Sequence, residues 1–168
     1  MTDGRNYVHG YSPREAERLL DQARTLTDLL HGDSIFPEGS SVLEAGCGVG
    51  AQTVVLAARN PEVEIVSLEI SGDSLARAEE RVREQGLCNV RFQQGDLYDP
   101  PFEDRTFDHL FLCFVLEHLP DVPVALRRLS RLIRPGGSVT VIEGDHGSAY
   151  FHPDSAAARK TVDRKSVV

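Results

Sequence analysis

No stretch of this 168-residue chain approaches the ~18 consecutive apolar residues that a membrane span needs. Nor is Met1 followed by the basic-then-apolar pattern of a secretory signal. The expectation is a cytoplasmic chain with no membrane partner. Cysteine is scarce. Cys47, Cys88 and Cys113 stand far apart, form no C-x-x-C pair and supply no disulfide framework. The six histidines are scattered, with no H-x-x-x-H pair, so no spacing supports a metal site. Positive charge is also in deficit: 18 Lys and Arg face 26 Asp and Glu, a formal charge of −8. Such a surface repels phosphate backbones, and nucleic acid is not the expected partner. The densest basic run, Arg127, Arg128, Arg131 and Arg134, has the spacing of one solvated helix face.

What remains is an ordinary globular composition, 40% apolar and 26% charged, at a length that suits one domain. An N-terminal helix is expected first. Ser12, Pro13 and Glu15 make a capping box with proline in the first turn, and Ala16, Leu19, Leu20, Ala23, Leu26 and Leu30 follow as an apolar stripe. The Pro37-Glu38-Gly39 turn closes this segment, so residues 1–40 read as a helical cap. Strands and helices then alternate. Strands are expected at 42–45, 64–69, 90–93, 107–113 and 138–143, and helices at 52–59, 73–85 and 122–133. Leu126, Leu129 and Ile133 are expected to face inward from the last helix, with Asp121 capping it. Residues 41–150 thus form an α/β core: a Rossmann-like parallel sheet of about five strands with helices on both faces. In such sheets ligands bind beyond the carboxyl ends of the strands, where strand order reverses.

The strongest chemical signal lies after the first strand. In Val42-Leu43-Glu44-Ala45-Gly46-Cys47-Gly48-Val49-Gly50 an acid near a strand's end runs into three alternating glycines. Glycine lets the backbone turn tightly and approach a ligand with no Cβ in the way. A helix beginning just beyond, near Thr53, would offer unpaired N–H groups to a carboxylate or hydroxyl. Gly46, Gly48 and Ala51 also satisfy G-x-G-x-x-A, the dinucleotide fingerprint, with Glu69 placed to grip a ribose diol in either case. An NAD(P)-dependent oxidoreductase therefore stays open on these residues. After the third strand come Gly95-Asp96-Leu97, where a carboxylate can accept from an adenine amine and the Leu97 N–H can read a ring nitrogen. A plain turn is the competing role for Asp96.

These motifs together resemble the class I S-adenosylmethionine-dependent methyltransferases. Glu44, Gly46, Cys47, Gly48 and Gly50 belong to the Val42–Gly50 stretch, which resembles the family's first motif, and Thr53 just beyond it is a further expected cofactor-binding residue. Glu69 matches its ribose-binding acid, Ile70 the apolar residue against the adenine, and Gly95, Asp96 and Leu97 the adenine-reading loop. The segment from Cys113 and Phe114 to Pro120 resembles the loop passing the methionine end of the cofactor, and Arg134-Pro135-Gly136-Gly137 the turn before the fifth strand. The implied cofactor is S-adenosyl-L-methionine, and the implied activity is methyl transfer to a small-molecule acceptor. The Tyr7–Ser12 stretch is similar to a bacterial and archaeal small-molecule subgroup, which implies that Tyr11 lies near the bound cofactor. Glu117 and His118, with His9 and His146 behind them, are the substrate-side candidates for a base. No catalytic residue is assigned.

The chain departs from that family at its end. The family's sheet usually has seven strands, and this sequence supplies five, followed by a tail at 151–168. A truncated chain is expected, with the last two strands missing. The fifth strand, Val139 to Ile142, is then an exposed edge that invites self-association. A non-catalytic cofactor-binding fragment remains a further alternative.

Overall fold

A computed structural model of the chain describes residue 27 and residues 29–144. His9, Tyr11, His146 and the 151–168 tail lie outside the described residues. Five strands run in the order the apolar periodicity requires: β1 (Ser41–Ala45), β2 (Glu64–Glu69), β3 (Val90–Gln94), β4 (Phe107–Cys113) and β5 (Ile133–Ile142). Helix α1 (Thr53–Arg59) follows β1, α2 (Gly72–Glu84) follows β2, and α3 (Val122–Arg131) precedes β5. All neighbouring strands pair in parallel, in the order β3-β2-β1-β4-β5. From β1 at the sheet's centre the strands step out to β3, then return to the other side of β1. The reversal lies between β1 and β4, and the connections leaving their carboxyl ends diverge there to open a crevice.

Strands β1, β2 and β4 are buried because both of their faces are covered. On one face Leu56 and Ala57 of α1 pack on Val42, Ile65 and Phe111. On the other, Leu129 of α3 packs on Leu43, Val66, Leu68, Leu110 and Leu112. Consecutive residues of β1 and β4 thus enter opposite cores, which explains their unbroken apolar runs. Helix α2 is capped by Ser71, whose hydroxyl accepts from Ser74 N at 3.3 Å. It buries Leu75, Ala78 and Val82, and Gly86 follows at φ +66°.

The end of the sheet differs from the sequence expectation. Helix α3 stops at Arg131 rather than 133, and β5 begins at Ile133 rather than 138. Phe107 pairs with Ile133, and Phe107 N donates to Leu132 O at 2.9 Å. Strand pairing therefore captures residues that local periodicity assigns to a helix. Pro135-Gly136-Gly137 is absorbed as an irregularity inside the pairing rather than as a turn before it, with Gly136 at φ +87°. The buried stripe of this region is accordingly Ala125, Leu129 and Leu132, while Leu126 and Ile133 are only partly buried. Asp121 does cap α3, accepting from Val124 N at 3.0 Å. Val139 and Val141 are 49% and 44% exposed on β5. Among the described residues the outer edge of that strand pairs with no other, and it is the surface on which the expected self-association would draw.

Two polar knots secure the layers. At the amino ends of the central strands, Asp108 accepts from Arg134 Nη1 at 2.7 Å and from Ser41 N and Oγ at 2.9 and 2.8 Å. The Arg134 guanidinium and the Ser41 groups hold its carboxyl down to about 2. Beside α1, buried Asn60 accepts from Phe36 N at 2.8 Å and donates to Ser34 O and Leu56 O at 2.9 and 2.8 Å. Asn60 is the tie between the 34–36 segment and the core. Replacing it by Ala strands three buried backbone groups, each worth about 1–3 kcal/mol if left unpaired. We expect Asn60→Ala to lose at least about 2 kcal/mol of unfolding free energy. Urea denaturation checks this, and an unchanged midpoint would contradict it.

Candidate functional site

The glycine loop leaves β1 under tight backbone control. Gly46 N and Cys47 N both donate to Leu68 O on neighbouring β2, at 2.8 and 3.1 Å, and Gly50 N returns to Cys47 O at 2.9 Å. All three glycines have positive φ, a region L side chains enter at a cost of roughly 1–2 kcal/mol. Two of them also resolve close approaches. A Cβ on Gly46 would lie 2.9 Å from both Val115 methyls, and one on Gly50 would lie 2.9 Å from the Ala78 Cα on α2. At Gly48 a Cβ would meet nothing within 4 Å. The outer glycines admit neighbouring protein, and the middle one leaves open space. Arg81 of α2 adds a guanidinium bond to Val49 O.

Behind the loop sit two buried carboxylates. Glu69, at the end of β2, accepts from Gly48 N at 3.0 Å through Oε2 and from Ser71 N at 2.9 Å through Oε1. Glu44 turns inward, and its Oε2 accepts from Ser67 Oγ at 2.6 Å and Thr53 Oγ1 at 2.8 Å. Burial pushes its pKa up to about 7 against the two hydroxyl bonds, and Glu69 nearby pushes the same way. Thr53 therefore serves Glu44 at the start of α1. That helix is seven residues long, and Gln52 gives it no side-chain cap. Gln52 Oε1 instead accepts from His31 Nε2 at 2.7 Å. Burial lowers the pKa of His31, which stacks on Phe111.

The remaining loops at the same sheet edge complete the crevice. Ile70, next to Glu69, is 55% exposed and offers an apolar face. Gly95 N donates to Glu69 O at 3.0 Å, which brings the third loop beside the second. Asp96 Oδ1 accepts from Tyr98 N at 2.9 Å, so Asp96 does perform the turn role. Leu97 is buried in the core below. Tyr98 Oη accepts from Asp121 N at 2.9 Å, tying this loop to the cap of α3. After β4, Phe114 stands at φ +57°, an uncommon conformation for a non-glycine residue. The 3-10 turn Leu116–His118 follows. Within it Glu117 Oε1 and His118 Nε2 are 3.6 Å apart, and the His118 side chain is only 14% exposed.

Neither motif cysteine is poised for chemistry. Burial, reinforced by Glu44 and Glu69, pushes the Cys47 thiol well up. Burial, with Glu44 and Glu143, pushes Cys113 up to about 12. Thiolate is the reactive form, so both act as small packing residues. Sequence reasoning passed over Ser67, Arg81, Tyr98 and Glu143, which bind the named residues from behind. For Glu143 a signal existed: an acid at a strand's carboxyl end, the same placement as Glu69.

The raised pKa of Glu44 carries a sign. The folded state holds this proton more tightly than the unfolded chain, whose value is 4.5. Stability is therefore greatest below that value, falls as pH rises toward about 7 and is level above it. Glu44→Gln keeps an acceptor for both hydroxyls and removes the buried charge. We expect it to gain stability relative to the parent at pH 8, on the order of 3 kcal/mol, and to gain little at pH 4. Denaturation curves at the two pH values check this, and an equal effect at both would contradict it.

The chain matches the methyltransferase domain family over residues 43–141, more than half its length. It is 37% identical over 106 residues to a demethylmenaquinone methyltransferase of Bacillus cytotoxicus, covering 62% of this chain and 45% of that protein. It is 31% identical over 139 residues to the 27-O-demethylrifamycin SV methyltransferase of Amycolatopsis mediterranei, covering 82% of this chain and 51% of that one. The chain thus spans about half the length of these curated relatives. A crystal structure of a SAM-dependent methyltransferase from Aquifex aeolicus superposes with TM-score 0.72 over 94% of this chain and 88% of its own, at 20% identity, and so shares the fold. Five parallel strands, a glycine loop held by a buried acid and a match reaching from the first strand to the fifth lead to one conclusion: the chain belongs to the methyltransferase domain family.

Proposed function

We propose that this chain binds S-adenosylmethionine and directs its methyl group to a small-molecule acceptor. The observation that carries the reading is Glu69 bonded to Gly48 N at the lip of an open glycine loop. The residues present suit the cofactor. Glu69 receives the ribose hydroxyls, exposed Ile70 packs on the adenine, and Asp96 accepts from its exocyclic amine. Gly46 and Gly48 let backbone approach the amino-acid end. Glu44, buried behind them, ties the end of β1 to Thr53 of α1 and Ser67 of β2 beneath the loop. The curated relatives named above act on demethylmenaquinone and a 27-O-demethylrifamycin, by their names, and this supports a small-molecule acceptor.

S-adenosylmethionine, when bound, supplies a methyl group on a cationic sulfur that leaves as a neutral thioether. The chain's own task is to bring the acceptor in line and exclude water, which can supply about 7–11 kcal/mol of barrier reduction. Phe114 borders that side with an aromatic surface suited to a sulfonium. Where the acceptor must lose a proton, His118 receives it, with Glu117 3.6 Å away to steady the imidazolium. The nicotinamide reading is not favoured, because the family match reaches from the first strand to the fifth, residues 43 to 141.

Calorimetry with S-adenosylhomocysteine and NADH, on the parent chain and on Glu69→Ala and Asp96→Ala, tests the cofactor. We expect the homocysteine ligand to bind and NADH not to. A charge-assisted bond is worth roughly 1.5–3 kcal/mol, so each variant should lose about tenfold or more in affinity. Unchanged affinity in both variants, or binding of NADH alone, would overturn the reading. Transfer of labelled methyl to a panel of phenols, hydroquinones, amines and thiols tests the chemistry. His118→Gln should slow phenol methylation by about 10²-fold or more while leaving cofactor affinity within a few-fold, and an undiminished rate would remove His118 from the proton path.

A further inference from the structure

We infer that Glu143 is the positioning residue that sets the acceptor side of the crevice, an inference that rests on the methyl-transfer reading above. Glu143 stands one residue beyond β5, across from the loop that leaves β4. Its Oε1 accepts from Val115 N at 2.9 Å and from Leu116 N at 2.8 Å. The preceding amide, Phe114 N, donates to Ile142 O at 2.8 Å. Three consecutive amides, 114 to 116, are therefore held by two consecutive residues of a different strand.

That grip falls where the backbone needs it. Phe114 occupies the left-handed region at φ +57°, a conformation that persists only where surrounding structure over-determines it. The 3-10 turn beginning at Leu116 has no side-chain cap of its own, since Val115 stands at its cap position. Glu143 supplies that acceptor from β5. Both faces of the site are reached through the two amides. Val115 carries the methyls that abut Gly46 of the cofactor loop. Leu116 opens the turn that carries Glu117 and His118. Glu143 acts on the site through this backbone.

The other carboxylate oxygen, Oε2, is buried with no hydrogen-bond partner. The two amide bonds use only one oxygen, so reach rather than charge is what the loop requires. A neutral amide of the same length would serve equally well, whereas a carboxylate one methylene shorter would not. This separates Glu143 from a base or a cation-binding carboxylate, for which charge would decide.

Glu143→Gln keeps the reach and loses the charge, while Glu143→Asp keeps the charge and loses the reach. Both are made in the full chain. Hydrogen exchange at the amides of Val115 and Leu116 reads the clamp directly, whether or not methyl transfer is observed. Calorimetry with S-adenosylhomocysteine on the unmutated chain tests the underlying reading separately. We expect exchange in Glu143→Asp to accelerate by about tenfold or more and in Glu143→Gln to stay within about threefold. With an acceptor from the panel that the unmutated chain methylates, Glu143→Asp should raise the acceptor KM by about tenfold and move the cofactor KM far less, and Glu143→Gln should restore both. Unchanged exchange in Glu143→Asp overturns the clamp. A Glu143→Gln variant as impaired as Glu143→Asp, or more so, overturns it in favour of the charge.

Discussion

The bond from Gly48 N to the buried Glu69 carboxylate is the constraint on which the site depends. It joins the loop after β1 to the end of β2, so that the most permissive backbone in the chain is held by an acid fixed in a parallel ladder. A glycine loop alone has too many conformations to present a defined surface. Here the conformations are pruned from three sides. Leu68 O takes two loop amides, Glu69 a third, and Ala78 and Val115 leave no room for side chains at Gly50 and Gly46. What stays open is the space above Gly48.

The same device recurs across the sheet edge. Each loop that borders the crevice is tied to a neighbouring element as well as within itself. Gly95 N goes to Glu69 O, Tyr98 Oη receives Asp121 N, and the amides from Phe114 to Leu116 go to the end of β5. Loops built this way inherit the rigidity of the parallel strands below, which is what a reaction depending on alignment demands. Buried charge is concentrated here as well. Burial and the nearby Glu69 both raise the pKa of Glu44, and the hydroxyls of Ser67 and Thr53 offset part of the rise.

Much of this was legible in the residues. Alternation of short apolar runs with amphipathic stretches located β1, β2 and β4 and helices α1 and α2 nearly to the residue, because covering both faces of a parallel sheet leaves a strong pattern. Glu69 and the three glycines were legible for a different reason: a positive-φ loop after a strand tolerates few other residues. Asp121 announced the start of α3 through its capping chemistry. The join between α3 and β5 was not legible. Ile133 fits a helical stripe, and only its pairing with Phe107 makes it a strand residue. Leu132, one position earlier, was passed over for the same reason.

By itself the sequence determined an α/β sheet with a glycine loop and an acid at the end of the second strand, because periodicity, backbone freedom and capping are local properties that residues carry with them. The tertiary structure alone decided which groups face one another. Glu44 bonds to Ser67 and Thr53, Tyr98 to the cap of α3, and Glu143 to amides 27 and 28 residues before it. Such contacts depend on strand order and register. Those follow from the packing of the whole sheet, where long-range burial outweighs any local preference.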